Sequence, residues 1–174
     1  LVIAKPDLVA LTLAVISVGM LLYPGPVPFR MLWAIGLLPL VLRGPPDTPS
    51  EGFRMTAVDV GQGMAVLVEA SGKRLLYDTG PAWDADSDAG ARIIVPWLRS
   101  RGISRLDLLV VSHADVDHSG GLPGLLRQMP IDRVLSSIPD GHRLREGLRN
   151  HRTCRRDEEW VWGSARFRIL HPGD

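Results

Sequence analysis

The stretch VVSHADVDHSGG, Val110 to Gly121, places His113, Asp115, Asp117 and His118 within six residues and follows them with Gly120 and Gly121. The residues ahead of these side chains, Leu106, Leu108, Leu109, Val110 and Val111, are apolar in the manner of a buried strand. A polar cluster where a buried strand emerges and the chain turns is the position at which α/β proteins place their sites. The stretch therefore predicts an α/β fold and, within it, the location of the chemistry.

Imidazole nitrogens and carboxylate oxygens are the donors that divalent metals accept. On a straight strand alternate residues face opposite sides, so the loop must curl for these four side chains to meet. Gly120 and Gly121 allow a tight turn directly behind the cluster. His113 and Asp115 can then face one ion while Asp117 and His118 face a second, and a pair of ions is a recurring centre of metal-assisted hydrolysis. Aspartate in place of a further histidine makes the donor set harder, which favours manganese or magnesium without excluding zinc. A solvated turn also uses Asp and Gly, but a structural loop gains nothing by crowding carboxylates that repel one another.

Outward from this point the pattern stays α/β. MTAVDV (Met55 to Val60), MAVLVEA (Met64 to Ala70) and RLLYDTG (Arg74 to Gly80) read as two or three antiparallel strands separated by GQG and SGK. A polar loop from Pro81 to Ala89 leads to Ile93, Ile94, Trp97 and Leu98 at helical spacing, stopped at Gly102. LDLLVVS is a strand, LPGLLRQM a short helix, IDRVLSS a further strand, and EEWVW with ARFRILH a hairpin. No internal repeat is present.

The first 43 residues differ in kind. Leu8 to Tyr23 carries no charge, and Met31 to Leu42 is a shorter apolar run, so residues 1–43 read as a membrane segment with one or two transmembrane helices. Pro6 and Asp7 and the lack of a small-residue cleavage motif after Tyr23 argue against a secretory signal. GPPDTPSEG, residues 44–52, reads as a linker. The chain has 20 Lys and Arg against 19 Asp and Glu, so a globally basic nucleic-acid binder is not indicated. Its one cysteine, Cys154, excludes an intrachain disulfide and a cysteine-rich zinc site.

SHADVDHSGG resembles the metal motif of the metallo-β-lactamase superfamily, in the variant with Asp for the second histidine. VDVGQGMAVLVEA and LLYDTGP, with the apolar runs ahead of them, resemble more narrowly the C-terminal hydrolase-like domain of the ComEC family of DNA-uptake channel proteins. The resemblance implies a metallo-β-lactamase-like αββα sandwich over residues 53–174, preceded by transmembrane helices. It implies His113, Asp115, Asp117 and His118 as ligands of two divalent ions, manganese or zinc, with Asp117 also positioning the attacking water. It implies support from Asp78, and from Asp59 and Gln62 in the loop beside the site. Met64 stands where the family often has an acidic residue. The superfamily's later ligands, from a TGD-like strand end and a later His, have no counterpart before Asp174, so the domain is expected to be its N-terminal part only and inactive in isolation.

The resemblance further implies DNA internalisation in natural transformation by a multi-pass protein of the cytoplasmic (inner) membrane, its domain on the outer face cutting the strand that is not imported. DNA, membrane lipid and other DNA-uptake proteins are the implied partners, and a homo-oligomer is compatible with them. Two alternatives use the same residues: a hydrolase of a small ester, thioester or lactam, and a domain that binds DNA without cutting it. The arginines at 143, 145, 149, 152, 155 and 156 suit phosphate contact but are balanced by Glu146, Asp157, Glu158 and Glu159, so a solvated face is favoured. Trp160 and Trp162 alternate on a strand and read as packing; His171, at a strand end, is a ligand candidate for which simple exposure is favoured.

Overall fold

The computed structural model describes residues 6–42 and 47–171. Outside the described residues lie 1–5 and Arg43 of the expected membrane segment, 44–46 of the expected linker, and 172–174. The chain divides into two compact units, Leu1–Pro46 with Arg99–Ile103, and Asp47–Leu98 with Ser104–Asp174.

In the first unit the uncharged run forms helix α1, Leu8–Leu22, capped by Asp7, whose carboxylate accepts the Ala10 N–H at 2.8 Å. Pro24, Pro26 and Pro28 cannot continue it. A 3₁₀ helix, Arg30–Leu37, runs into the single turn α2, Leu38–Val41. The Arg30 guanidinium ties the connection by donating to the carbonyls of Tyr23 and Gly25, both at 2.7 Å. The small side chains Ala10, Ala14 and Ser17 form the buried face of α1, and a Cβ on Gly36 would stand 2.1 Å from Ser17 Oγ. Most of the rest is exposed and apolar, with Leu8 at 78% and Val15 at 65% exposure.

The expected spans take a shorter form. Fifteen helical residues rise about 22 Å, below the roughly 30 Å of a hydrocarbon core. The second run is mostly 3₁₀ helix, with Pro39 at the start of its one α turn. Among the described residues no helix is long and apolar enough to cross a membrane.

The second unit is built on a mixed sheet of order β1-β2-β3-β6-β7-β8. Its strands are β1 (Arg54–Ala57), β2 (Val66–Ala70), β3 (Lys73–Tyr77), β6 (Leu108–Val111), β7 (Val134–Ser136) and β8 (His151–Thr153). The first three pair antiparallel; β3, β6, β7 and β8 pair in parallel. Their carboxyl ends therefore share one edge of the sheet.

Strand alternation sorts the apolar residues onto two faces. Leu67, Leu76, Leu109 and Val134 stand in register across four strands and are all buried. The other face carries Val68, Leu75, Leu108, Val110, Leu135 and Cys154, covered by Trp160, Trp162 and Phe167 from the hairpin β9 (Glu159–Trp162) and β10 (Ala165–Arg168). Trp160 stacks on Phe167 with centroids 5.2 Å apart, and Trp162 meets the same ring edge-on at 5.1 Å, so these aromatics pack as their alternation predicts. Fully buried Glu69 is held by Arg74 at 3.3 Å and Arg54 at 3.5 Å.

Several elements depart from the sequence reading. Pro81 to Ala89 contains a small hairpin, β4 (Ala82–Asp84) with β5 (Ser87–Asp88). The helix expected around Ile93 starts as a π turn, Gly90–Ile94, before α3, Val95–Ser100. The one-turn helix α4, Val116–Ser119, precedes α5, Leu122–Gln128. The described part of the expected linker is tied to the β2–β3 turn, where Pro49 O accepts from Ser71 N at 2.8 Å and Thr48 Oγ1 from Gly72 N at 2.5 Å.

Candidate metal centre

Strand β6 delivers Ser112 and His113 to the shared carboxyl edge, and α4 then turns the next three candidates back toward them. Asp115 begins α4 without capping it by its side chain, and its main-chain carbonyl accepts from His118 N and Ser119 N at 3.0 and 2.9 Å. Its carboxylate is thus left free, 76% exposed, with Oδ2 3.4 Å from His113 Nε2. Asp117 Oδ2 lies 3.5 Å from His118 Nε2, and the two imidazole centroids are 4.1 Å apart. The four side chains stand as two His–Asp pairs.

Asp78 fixes both rings from behind. It is fully buried, directly after β3, with a left-handed φ of 59°, a conformation aspartate tolerates better than most residues. Oδ1 accepts from Ser112 N at 2.7 Å; Oδ2 accepts from Ser112 Oγ at 2.8 Å and from His118 Nδ1 at 2.8 Å. Because the Ser112 hydroxyl is spent on Asp78, its oxygen accepts from His113 Nδ1, 2.8 Å away. Both imidazoles therefore carry their proton on Nδ1 and present the Nε2 lone pair toward the neighbouring carboxylate. A carboxylate behind a histidine is the usual device that orients a metal-ligating ring. Burial, and then the adjacent Asp78 carboxylate, raise the Tyr77 hydroxyl above its ordinary range, so it adds no charge here.

The glycines work by space more than by freedom. Gly120 and Gly121 form the turn between α4 and α5, with φ values of −60° and −76° that other residues also adopt. A Cβ on Gly120 would lie 2.2 Å from Ala82 N, and one on Gly121 2.0 Å from Thr79 O. Only bare backbone fits where α4 crosses the segment after β3. Gly63 is similar: its Cβ would be 2.4 Å from Asp117 O, and next to it Met64 N donates to that carbonyl at 3.1 Å. The GQG loop thus braces α4 from the main chain. Asp59 is exposed and accepts from Gly61 N at 3.1 Å, an Asx turn, and Gln62 is exposed on the same loop. Neither is brought to the four candidates by a hydrogen bond, unlike Asp78.

The donor chemistry suits a divalent metal. Two ligand atoms of one ion at bond lengths near 2.1 Å are themselves about 3.0–3.5 Å apart, which matches both His–Asp separations. The gathering is by pairs only: among the described residues no group of three or more His, Cys, Asp or Glu is arranged to hold an ion. A cleft of about 490 Å³ opens beside His113, lined also by Ser112, Ser137, Asp140, Arg145 and His171. Among the described residues His171, the ligand candidate for which exposure is favoured in the sequence, is the one further histidine lining it. A larger apolar cleft of about 700 Å³ lies under the β9–β10 hairpin and includes none of the four candidates.

The sequence model of the metallo-beta-lactamase superfamily matches residues 58–171. The chain belongs to that superfamily. It is similar to Competence protein ComA of Neisseria gonorrhoeae, 34% identical over 99% of this chain and 23% of that protein. It is similar also to Recombination protein 2 of Haemophilus influenzae, 38% identical over 69% of this chain and 14% of that one. Ribonuclease J of Mycolicibacterium smegmatis is 33% identical over 64% of this chain and 21% of its own length. The chain thus spans under a quarter of the length of these relatives. The likeness to the ComEC family read from the motifs is borne out, and membership of the metallo-beta-lactamase superfamily implies binding of divalent metal.

Proposed function

We propose that the chain is a portion of a membrane-embedded DNA-internalisation protein of natural transformation, and that its metallo-beta-lactamase domain is a metal-dependent phosphodiesterase acting on the DNA strand that is not imported. The observation that carries the hydrolytic reading is the pair of His–Asp sets at the sheet's carboxyl edge, with His118 locked by buried Asp78. The phosphodiester substrate is supported by the likeness to competence proteins and to a ribonuclease. We assign residues 1–43 to the membrane segment, 44–52 to the connection and 53–174 to the hydrolase domain. The exposed apolar surface of α1 supports a lipid environment for the first of these.

In this reading His113, Asp115, Asp117 and His118 hold two divalent ions, manganese or zinc. Bound there, the metal supplies Lewis-acid stabilisation of the charge that develops on the phosphoryl oxygens and activates water. Asp117, half-exposed at 51%, positions the attacking water and takes up its proton through its carboxylate. Asp78 and Ser112 keep both imidazoles as Nε2 donors throughout. Asp59 and Gln62 serve the architecture of the loop beside α4.

End-labelled single- and double-stranded DNA, incubated with the whole protein of which this chain is a portion and manganese, zinc or chelator, tests the proposal beside an Asp115→Ala, Asp117→Ala double variant. Cleavage that needs metal and disappears in the variant is the expected result. A folded protein that takes up metal and leaves DNA intact would refute the phosphodiesterase.

A further inference from the structure

Because β3, β6, β7 and β8 are parallel, the segments that follow them emerge side by side: Asp78, His113, the 137–145 loop and the chain after Thr153. The 490 Å³ cleft lies along this edge, with Ser112 and His113 among its lining residues and Ser137, Asp140, Arg145 and Thr153 contributed by the later segments. Arg145 stands apart from the other arginines of the 143–156 run. Its side chain is 20% exposed, whereas the residues at 143, 149, 152, 155 and 156 are exposed.

The partners of Arg145 define what it lacks. Nη1 donates to the Ile138 carbonyl at 3.2 Å, and Nη2 to Thr153 Oγ1 at 3.2 Å and His151 Nδ1 at 3.4 Å. These three acceptors carry no charge: His151 is pushed toward its neutral form by burial first and by Arg145 second, and Ser136 Oγ lies 2.7 Å from its other nitrogen. The remaining partner is Asp140, a carboxylate 94% exposed at the mouth of the cleft. The guanidinium is thus braced in a fixed orientation by neutral groups, and among the described residues its counter-charge is the solvated Asp140 carboxylate. The Nη1 hydrogen that Asp140 now takes is thereby held in a fixed direction for an anion, the charge-assisted contact that arginine gives a phosphate oxygen.

We infer that this cleft is a phosphate subsite, in which Arg145, with the hydroxyls of Ser137 and Thr153, takes a non-reacting phosphate of a nucleic-acid strand in place of Asp140. The inference rests on the phosphodiesterase reading for its substrate class, and it makes Arg145 a substrate-positioning residue beside His113.

The test is binding of a fluorescein-labelled twelve-residue oligothymidylate to the full chain in chelator, followed by anisotropy across a salt series, so that binding is read apart from cleavage. Arg145→Gln is expected to weaken binding about tenfold and to lower the salt slope by about one. Asp140→Asn is expected to tighten it about two- to fivefold by removing the competing carboxylate. A purely bracing role for Arg145 predicts the opposite sign for Asp140→Asn, since loosening the loop would weaken binding. An unchanged Kd in Arg145→Gln, weaker binding in Asp140→Asn, or no binding by the parent chain would each overturn the subsite. Arg145-dependent binding by a protein that never cuts DNA would remove the phosphodiesterase and leave the subsite standing.

Discussion

Replacing Asp78 with asparagine should reverse the hydrogen-bond polarity of the whole site while leaving its shape. The Ser112 N–H can only donate, so the retained amide oxygen must stay opposite it, in the place of Oδ1. The NH₂ group then falls where Oδ2 accepted from Ser112 Oγ and His118 Nδ1. It can only donate, so His118 must move its proton from Nδ1 to Nε2. The Ser112 hydroxyl, now receiving from the amide, turns its own proton toward His113 Nδ1 at 2.8 Å and drives the same exchange in the second ring. Both Nε2 lone pairs are lost from the metal side at once. Trading charge-assisted hydrogen bonds for neutral ones costs about 1 kcal/mol each, partly offset by relief from burying a charge, so the net loss is about 1–2 kcal/mol. For a chain of this size that is a fall of about 2–8 °C in Tm. Metal affinity should fall about 10- to 100-fold, the range for loss of a ligand's orienting partner. Competition titration with manganese and zinc reads the affinity, and long-range ¹⁵N–¹H spectra of the histidines read the proton positions. An Asp78→Asn protein that keeps both protons on Nδ1, or binds metal within twofold of the parent, would refute the reasoning.

Two further outcomes follow from the fold. His151 has its pKa lowered by burial first and by Arg145 second, so its neutral form is favoured in the folded chain. Its contribution to stability is complete above the unfolded-state value of about 6.5 and is lost as pH falls below that toward the folded value; chemical denaturation from pH 7.5 to 5 should show this loss, and His151→Gln should flatten it. Gly120→Ala forces a Cβ to within 2.2 Å of Ala82 N and 2.4 Å of Val116 O, and because both obstacles are backbone it should cost about 3 kcal/mol or more, where an Ala substitution at open Gly61 should cost only the strain of its positive φ of 75°. Thermal melts of the two variants give the comparison.

Strands that are apolar over several residues were legible, because burial on both faces leaves no polar alternation to confuse them: Leu108–Val111 and Val66–Ala70 are the examples. Strand β8, His-Arg-Thr, was not, since an edge strand of three polar residues is ordered by pairing with β7 and by nothing in its own composition. The helical run Leu8–Leu22 was legible as a helix, whereas the 3₁₀ form of the second run, Arg30–Leu37, was not, since its apolar composition does not distinguish the two helix types. The cluster of His113, Asp115, Asp117 and His118 was visible as a density of metal-type donor side chains within six residues. The left-handed Asp78 behind His118, the relay through Ser112, and the brace around Arg145 join residues 34 or more positions apart, or a loop to a neighbouring strand, and only the parallel sheet order brings them together. The paired glycines were legible as a turn, but the need for a missing Cβ at a crossing of backbones depends on a partner segment that local sequence does not reveal.

The central claim is that VVSHADVDHSGG is a divalent-metal centre made of two His–Asp pairs. Manganese binding to the purified chain, followed by the loss of the free-ion electron paramagnetic resonance signal, tests it most directly beside His113→Ala and His118→Ala. The account predicts saturable binding by the parent chain that falls at least tenfold in each variant while the melting curve is retained. Equal binding by the parent and both variants, or no binding by a folded parent, would contradict it.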